Sequence, residues 1–305
     1  MTTTKPFKTI DEQIQLLQSS NLTILESDME KTRNFLLNNN YYRISGYSLT
    51  LRKNEVFHHG ITIDHLIQIY EGDKMMRHIL LSNLEIIETR LKSLISHLHA
   101  EKYGPLGYLD INTFNCVSNN KVGIHVIQNY IHITRKASQQ KNSNYDSERF
   151  IQHHIDNKNG EFPFWVYIEL LTISDTSKLY TILDEDLQRN IAAKLGFTVT
   201  NSVNIVQNHL HCMTILRNIC AHGGRLYNRL FIRKPTLSIS DKNLLRKVNG
   251  KPVLNRLFSY ILVIKSLIDE NEFKQLKEQL LELDRNYPLA HFKNYGFPDN
   301  WKIIL

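Results

Sequence analysis

Met76-Arg77-His78-Ile79-Leu80-Leu81-Ser82-Asn83-Leu84-Glu85-Ile86-Ile87-Glu88-Thr89-Arg90-Leu91-Lys92-Ser93-Leu94-Ile95-Ser96-His97-Leu98 decides the fold class. Met76, Leu80, Leu84, Ile87, Leu91, Leu94 and Leu98 recur in steps of three and four, which places them on one stripe of an α-helix. Arg77, Glu85, Glu88, Arg90 and Lys92 are assigned to the opposite face. The pattern predicts a helix of roughly 35 residues that begins near Ile63 and stops at Tyr103-Gly104-Pro105. A stripe of that length has to be hidden against another long helix.

The partner is expected at 198–222, where Val206, Leu210, Met213 and Leu216 or Arg217 follow one face. Asn201 or Ser202 can cap its start, and Gly223-Gly224 can supply the left-handed residue that ends it. Shorter helical patterns lie at about 10–19, 27–38, 120–137, 146–157, 163–172, 175–183, 186–194, 254–268 and 272–284. Period-two alternation is scarce, so the fold class is all-α, with a small hairpin expected at 47–57 or 230–239. The main breaks are 54–62, 104–120 and 138–146. Residues 1–60 read as an N-terminal helical extension and 61–305 as the main helical domain, C-terminal helices included.

At 305 residues the chain is long enough for a large core. Only 12 Gly and 7 Pro argue against an all-β or low-complexity chain. The net charge of +7 favours an anionic partner, nucleic acid first, although spread over this length it is a weak signal. Cys116, Cys212 and Cys220 are too few and scattered for a disulfide framework. No apolar run approaches a membrane span, and residues 1–8 are too polar for a signal peptide, so a cytoplasmic protein is expected.

Function is concentrated in Arg217-Asn218-Ile219-Cys220-Ala221-His222-Gly223-Gly224-Arg225-Leu226-Tyr227-Asn228-Arg229. Arginine offers a permanently charged fork suited to phosphate, and histidine moves protons near neutral pH. Residues five apart on a helix point about 140° away from each other, so Arg217 and His222 converge only if the helix ends or bends between them. Asn218 lies four residues before His222, where it can orient the ring or touch a phosphate. The chemistry this permits is RNA cleavage by internal transphosphorylation: His222 as base or acid, Arg217 as phosphate clamp, with no metal required. The competing reading is a helix-capping histidine beside a solvated arginine.

Arg225, Arg229, Arg233 and Lys234 are the phosphate-contact candidates, and Tyr227 is placed with them for RNA binding. The cluster of Tyr41, Tyr42 and Tyr47 with Arg43 and Arg52 can stack on RNA, but packing on the bundle is the favoured reading. Glu88 is a candidate partner for an arginine near the site. A zinc site from His209, His211, Cys212, Cys220 and His222 fails on geometry: the two cysteines lie about 12 Å apart along a helix, and His209 and His211 face nearly opposite ways. The pairs His58-His59 and His153-His154 read as surface residues. No metal and no cofactor are expected.

Several blocks carry a resemblance. Tyr41-Tyr42-Arg43-Ile44-Ser45-Gly46-Tyr47 with Phe57, Ile69-Tyr70-Glu71-Gly72-Asp73-Lys74-Met75-Met76-Arg77, Phe162-Pro163-Phe164-Trp165-Val166-Tyr167-Ile168-Glu169-Leu170, Ser177-Lys178-Leu179-Tyr180, the 217–229 stretch and Gly296-Phe297-Pro298-Asp299-Asn300-Trp301 come in order. Together they resemble the bacterial Abi-D/F abortive-infection family, from about Lys5 to Trp301. That family is similar to the HEPN superfamily, helical proteins whose R-x4-6-H motif cleaves RNA. The resemblance implies a HEPN-like helical bundle and a role in phage defence. It also implies Arg217, Asn218 and His222 as the site, and a homodimer that completes it from two chains. Two departures stand out: Gly223 and Tyr227 occupy positions where many relatives carry a second histidine and a tryptophan.

The expectation is thus a metal-independent endoribonuclease toxin of an abortive-infection system. RNA is the substrate, and because unchecked cleavage would harm the host, an inhibitor or trigger is implied, such as a small regulatory RNA or a phage product. The alternatives are a non-catalytic RNA-binding or phage-sensing protein of the same fold, and a structural dimeric sensor in which the Arg–His motif stabilises the interface.

Overall fold

The computed structural model describes residues 6–115, 117–118 and 121–305. Cys116, residues 1–5 of the polar N-terminus, and Asn119 and Asn120 of the expected 104–120 break lie outside the described residues. The chain opens with α1 (Ile10–Ser19), α2 (Met29–Asn39) and α3 (Tyr41–Ser45), then a hairpin of β1 (Arg52–Lys53) and β2 (Val56–Phe57). The long α4 (Ile63–Tyr103) follows, then a second hairpin of β3 (Val117–Ser118) and β4 (Lys121–Val122). Next come α5 (Ile124–Ser143), α6 (Arg149–Asn157), α7 (Phe164–Tyr167), α8 (Ile173–Ile182), α9 (Glu185–Lys194) and α10 (Ser202–Ala221). The chain closes with α11 (Ile239–Leu244), a third hairpin of β5 (Lys247–Val248) and β6 (Lys251–Pro252), α12 (Leu257–Leu267), α13 (Glu270–Asn286) and α14 (Trp301–Ile304). The protein is all-α, and among the described residues strands occur only as these antiparallel two-residue pairs.

Local chemistry sets most boundaries. Thr9 and Glu12 form a reciprocal capping box at α1, as do Asp269 and Glu272 at α13, and each satisfies two N-terminal amides. Gly104 takes a positive φ of 80° and ends α4 at the predicted stop. The first hairpin falls inside 47–57, and its Asn54-Glu55 turn has both residues in the left-handed region, the twist a two-residue hairpin requires. The 230–239 stretch forms no strand. The third hairpin instead carries Asn249-Gly250, both residues at positive φ, the dipeptide a two-residue hairpin turn favours. The helix expected at 163–172 runs from Phe164 to Leu170, its last turn 3-10, and ends at the extended Leu171, because the Thr172 side chain caps the start of α8 by accepting from the Asp175 amide.

α4 is 41 residues, so about 60 Å long, and packs on α10, α13 and α7 in turn. Met76, Leu80, Leu84, Ile87, Leu91 and Leu98 are buried as expected. Leu94 is not; Ile95 is buried in its place and Leu94 lines a surface groove. A strict three-four repeat drifts around a 3.6-residue helix, and the partner of α4 changes along its length. Arg77 and Lys92, assigned to the outer face, are also buried. Each flanks the apolar stripe and is held by carboxylates: Asp73 for Arg77, Glu88 and Glu169 for Lys92.

Two cores result. One joins α1, α2 and α3 with the first half of α4, the second half of α10, and α12 and α13. The other joins the second half of α4 with α5–α9 and the first half of α10. α4 and α10 cross both, and so carry the functional stretch at the end of α10 into the first core. Among the described residues no helix is long and apolar enough to cross a membrane.

Candidate functional site

α10 ends where its sequence turns to glycine. The Gly223 amide donates to the Cys220 carbonyl at 3.1 Å, and the Gly224 amide to the Ile219 carbonyl at 2.7 Å. This is a Schellman closure, and it requires a left-handed residue, supplied by Gly223 at φ 62°. His222 is therefore the C-cap residue, just past Ala221, exposed, with its own amide bonded to the Asn218 carbonyl at 3.1 Å.

The chain beyond the closure is tied to α4. The fully buried Asp73 accepts from the amides of Leu226 (3.2 Å) and Tyr227 (2.7 Å), from the Tyr47 hydroxyl (2.7 Å), and from the Arg77 guanidinium. Burial pushes the Asp73 carboxyl up, while Arg77, Tyr47 and the two amides pull it back toward the charged form. From the N-terminal side, the Arg43 guanidinium donates to the Gly223 carbonyl. One carboxylate on α4 and one arginine on α3 thus hold the turn on both sides.

The three proposed catalytic side chains stand on that frame. Arg217 is half-buried, and Asn218 and His222 are exposed. Among the described residues, none of the three makes a side-chain hydrogen bond or an ion pair. α10 stays helical to Ala221, so Arg217 and His222 remain about 140° apart around the axis and about 7.5 Å apart along it. The single chain does not bring them together, and Asn218 meets His222 only through its backbone.

The surrounding candidates divide. Arg225 and Arg229 are half-exposed and flank the turn; Arg225 donates to the Tyr227 carbonyl at 2.8 Å and Arg229 to the Arg225 carbonyl at 3.1 Å. Tyr227 needs correction as an RNA contact. It is 1% exposed, its hydroxyl accepts from the Asn294 amide at 2.6 Å and meets the Thr50 hydroxyl at 2.9 Å, and its ring packs edge-on to Tyr295. The Asp73 bond to its amide draws the ring inward. Arg233 and Lys234 are exposed but do not adjoin His222. Their segment runs back beside α10, where the Asn208 amide donates to the Lys234 carbonyl at 3.2 Å and His209 Nε2 to the Thr236 carbonyl at 2.8 Å. That level is about 20 Å along the axis from His222.

Glu88 pairs with Lys92 and not with an arginine of the site. Tyr47 is buried, as the packing reading of the tyrosine cluster has it, whereas Tyr42 is 87% exposed. Burial pushes the Cys212 thiol up to about 11 and Cys220 up to about 12, and His209 points inward. Zinc needs thiolates, which such burial opposes. Among the described residues, no three His, Cys, Asp or Glu side chains gather as a metal site.

The structure adds residues that sequence reasoning passed over. Asp73 stood only inside the family-like block, and Arg77 was otherwise read only as an outer-face charge; their four-residue spacing on a helix is the signal of an ion pair. Arg246, Arg256 and Lys293 line one cleft beside Asn228, with Arg256 donating to the Asn228 side chain at 2.8 Å. Lys178, His211 and Arg233 line another, between α8 and α10. Cations so distant in sequence carry no local pattern.

No curated protein and no solved structure matches the chain. A family model described as Abi-like protein matches residues 34–228, which takes in α3, the Asp73 anchor, α10 and the whole 217–228 turn. That span is more than half of the sequence, and it includes both Arg43 and the Gly223 carbonyl to which it donates. The chain belongs to the Abi-like protein family.

Proposed function

We propose that the chain is an abortive-infection protein that cleaves RNA, acting as a homodimer without a metal cofactor. Membership of the Abi-like family supports the phage-defence role. The observation that carries the chemistry is local: among the described residues the Arg217 and His222 side chains have no hydrogen-bond or ion-pair partner, yet their backbone is held by a closed helix end and a turn anchored on Asp73. Free side chains on a fixed backbone suit a ligand more than they suit stability.

In this scheme an imidazole takes the proton of a ribose 2′-hydroxyl and the 2′-oxygen attacks the adjacent phosphorus. The bond to the 5′-oxygen breaks, that oxygen is protonated, and a 2′,3′-cyclic phosphate and a 5′-hydroxyl end are left. Arg217 neutralises charge on the five-coordinate phosphorus. Because Arg217 and His222 diverge within one chain, a twofold axis would set Arg217 of one protomer near His222 of its partner. Two chains would also supply the two imidazoles that Gly223 denies to one.

The same Gly223 favours a second reading, an RNA-binding protein without nuclease activity. Incubating purified protein with mixed RNA in EDTA, beside Arg217→Ala and His222→Ala, separates the two. Cleavage lost in both variants supports the nuclease. Cleavage surviving in both removes the proposed site, and binding without cleavage in the native chain favours the second reading.

A further inference from the structure

The cleft between α8 and α10 has a volume of about 470 Å³ and is lined by Lys178, His211 and Arg233 with the hydroxyls of Ser174, Ser177 and Thr181. No carboxylate lines it. The adjacent acid, Asp175, accepts from the Thr172 hydroxyl at 2.7 Å and faces His132 at 3.2 Å. Lys178 Nζ lies 3.0 Å from His132 Nε2, so its ammonium is positioned without being neutralised by an acid.

Arg233 is set in place by its backbone. The Tyr260 hydroxyl donates to the Arg233 carbonyl at 2.8 Å, and the Thr236 amide donates to the Asn208 side chain at 2.7 Å. The guanidinium itself makes no hydrogen bond to a described residue. Three cationic or protonatable groups, several hydroxyls and no acid form a lining for a phosphate.

The cleft is continuous with the helix end. Asn204, Gln207, His211, Thr214, Asn218 and His222 fall within about 80° around α10, and none of the six is buried. α10 carries no Asp or Glu anywhere. His211 is about 17 Å along the axis from His222, within the span of a short oligonucleotide. One uninterrupted polar track therefore joins the cleft to the proposed cleavage point.

We propose that this cleft is a phosphate-binding subsite for an RNA strand laid along the polar face of α10, with Arg233 and His211 gripping the backbone upstream or downstream of the bond at His222. It rests on the reading that the end of α10 acts on RNA. Arg233, which does not adjoin His222, acquires a role at a distance by lining the subsite.

The test is fluorescence anisotropy with a labelled single-stranded RNA, using the full chain with His222→Ala to prevent turnover. Arg233→Ala and His211→Ala are added to it, with Lys274→Ala on α13 as a control for lost charge. Both replaced residues are exposed and make no side-chain hydrogen bond or ion pair among the described residues, so folding is preserved. Arg233→Ala is expected to weaken binding roughly fivefold at low salt and to reduce the log–log salt slope by about 0.7, as loss of one phosphate contact on a single strand does. Lys274→Ala should change neither. If Arg233→Ala and His211→Ala behave like Lys274→Ala, the subsite is overturned. Inorganic phosphate or a mononucleotide binding in an Arg233-dependent way while RNA binding is untouched overturns it too, in favour of a small-ligand site. Native protein that binds RNA through Arg233 but never cleaves would leave the subsite standing and remove the nuclease.

Discussion

Asp73 is the residue on which the site depends, although it touches no expected substrate. Its two oxygens are shared among two amides, a tyrosine hydroxyl and an arginine in a fully buried position. Removing the carboxylate leaves Arg77 buried and unpaired and frees the amides of Leu226 and Tyr227. Asp73→Ala should therefore cost about 3–5 kcal/mol in urea unfolding. It should also loosen the turn after His222, read as faster amide exchange at 223–227. His222→Ala makes the contrast: an exposed, unpartnered side chain should change stability by less than about 0.5 kcal/mol while lowering cleavage by about 10²–10⁴-fold. Loss of stability in His222→Ala matching that in Asp73→Ala would show His222 to be structural.

At the scale of the element, the end of α10 depends on one backbone conformation. Gly223 sits at φ 62°, and a Cβ there would run into the Arg43 guanidinium. Gly223→Ala should cost about 1–2 kcal/mol by denaturant titration, more than Gly→Ala gains at an ordinary helical position. The same geometry makes a histidine at this position strained in this chain. If Gly223→Ala proves neutral or stabilising, the left-handed closure is not what holds His222. α4 teaches a parallel lesson. Its periodicity predicted the helix and its stop, but Arg77 and Lys92 had to be read as outward because charge is normally solvated. Only the carboxylates brought against them explain why they are inside.

At the scale of the molecule, His99 on α4 lies fully buried in the second core, its Nε2 3.1 Å from the Thr113 hydroxyl and its ring stacked on Phe114. Burial holds its pKa down to about 4, below the ordinary 6.5. Above pH 6.5 the ring is neutral in the folded and unfolded chain alike. As pH falls from 6.5 toward 4 only the unfolded chain takes the proton, so stability is lost across that window, by roughly 3 kcal/mol in full. Urea midpoints at pH 7.5 and pH 5 should differ accordingly, and His99→Gln should flatten that part of the difference. The proposed dimer is a property of the same scale. Cleavage per chain should rise with protein concentration in step with the dimer fraction measured by sedimentation. Full specific activity from a monomer would rule out a composite site.

The sequence by itself determined what depends on neighbours along the chain. The three-four stripe of α4, its Gly104 stop, the capping boxes and the Gly223-Gly224 end of α10 are each settled within a few residues, and the ordered family-like blocks from Tyr41 onward were legible for the same reason. Tertiary structure decided everything that joins distant segments. It took Tyr227 from the surface into the core, because Asp73, more than 150 positions earlier, bonds its amide. It moved Arg233 and Lys234 away from His222, because their segment folds back along α10. It also gathered Lys178, His211 and Arg233 into one cleft. A helix records its own period in sequence, whereas a side chain's burial and electrostatic company are set by whichever chain segment packs against it.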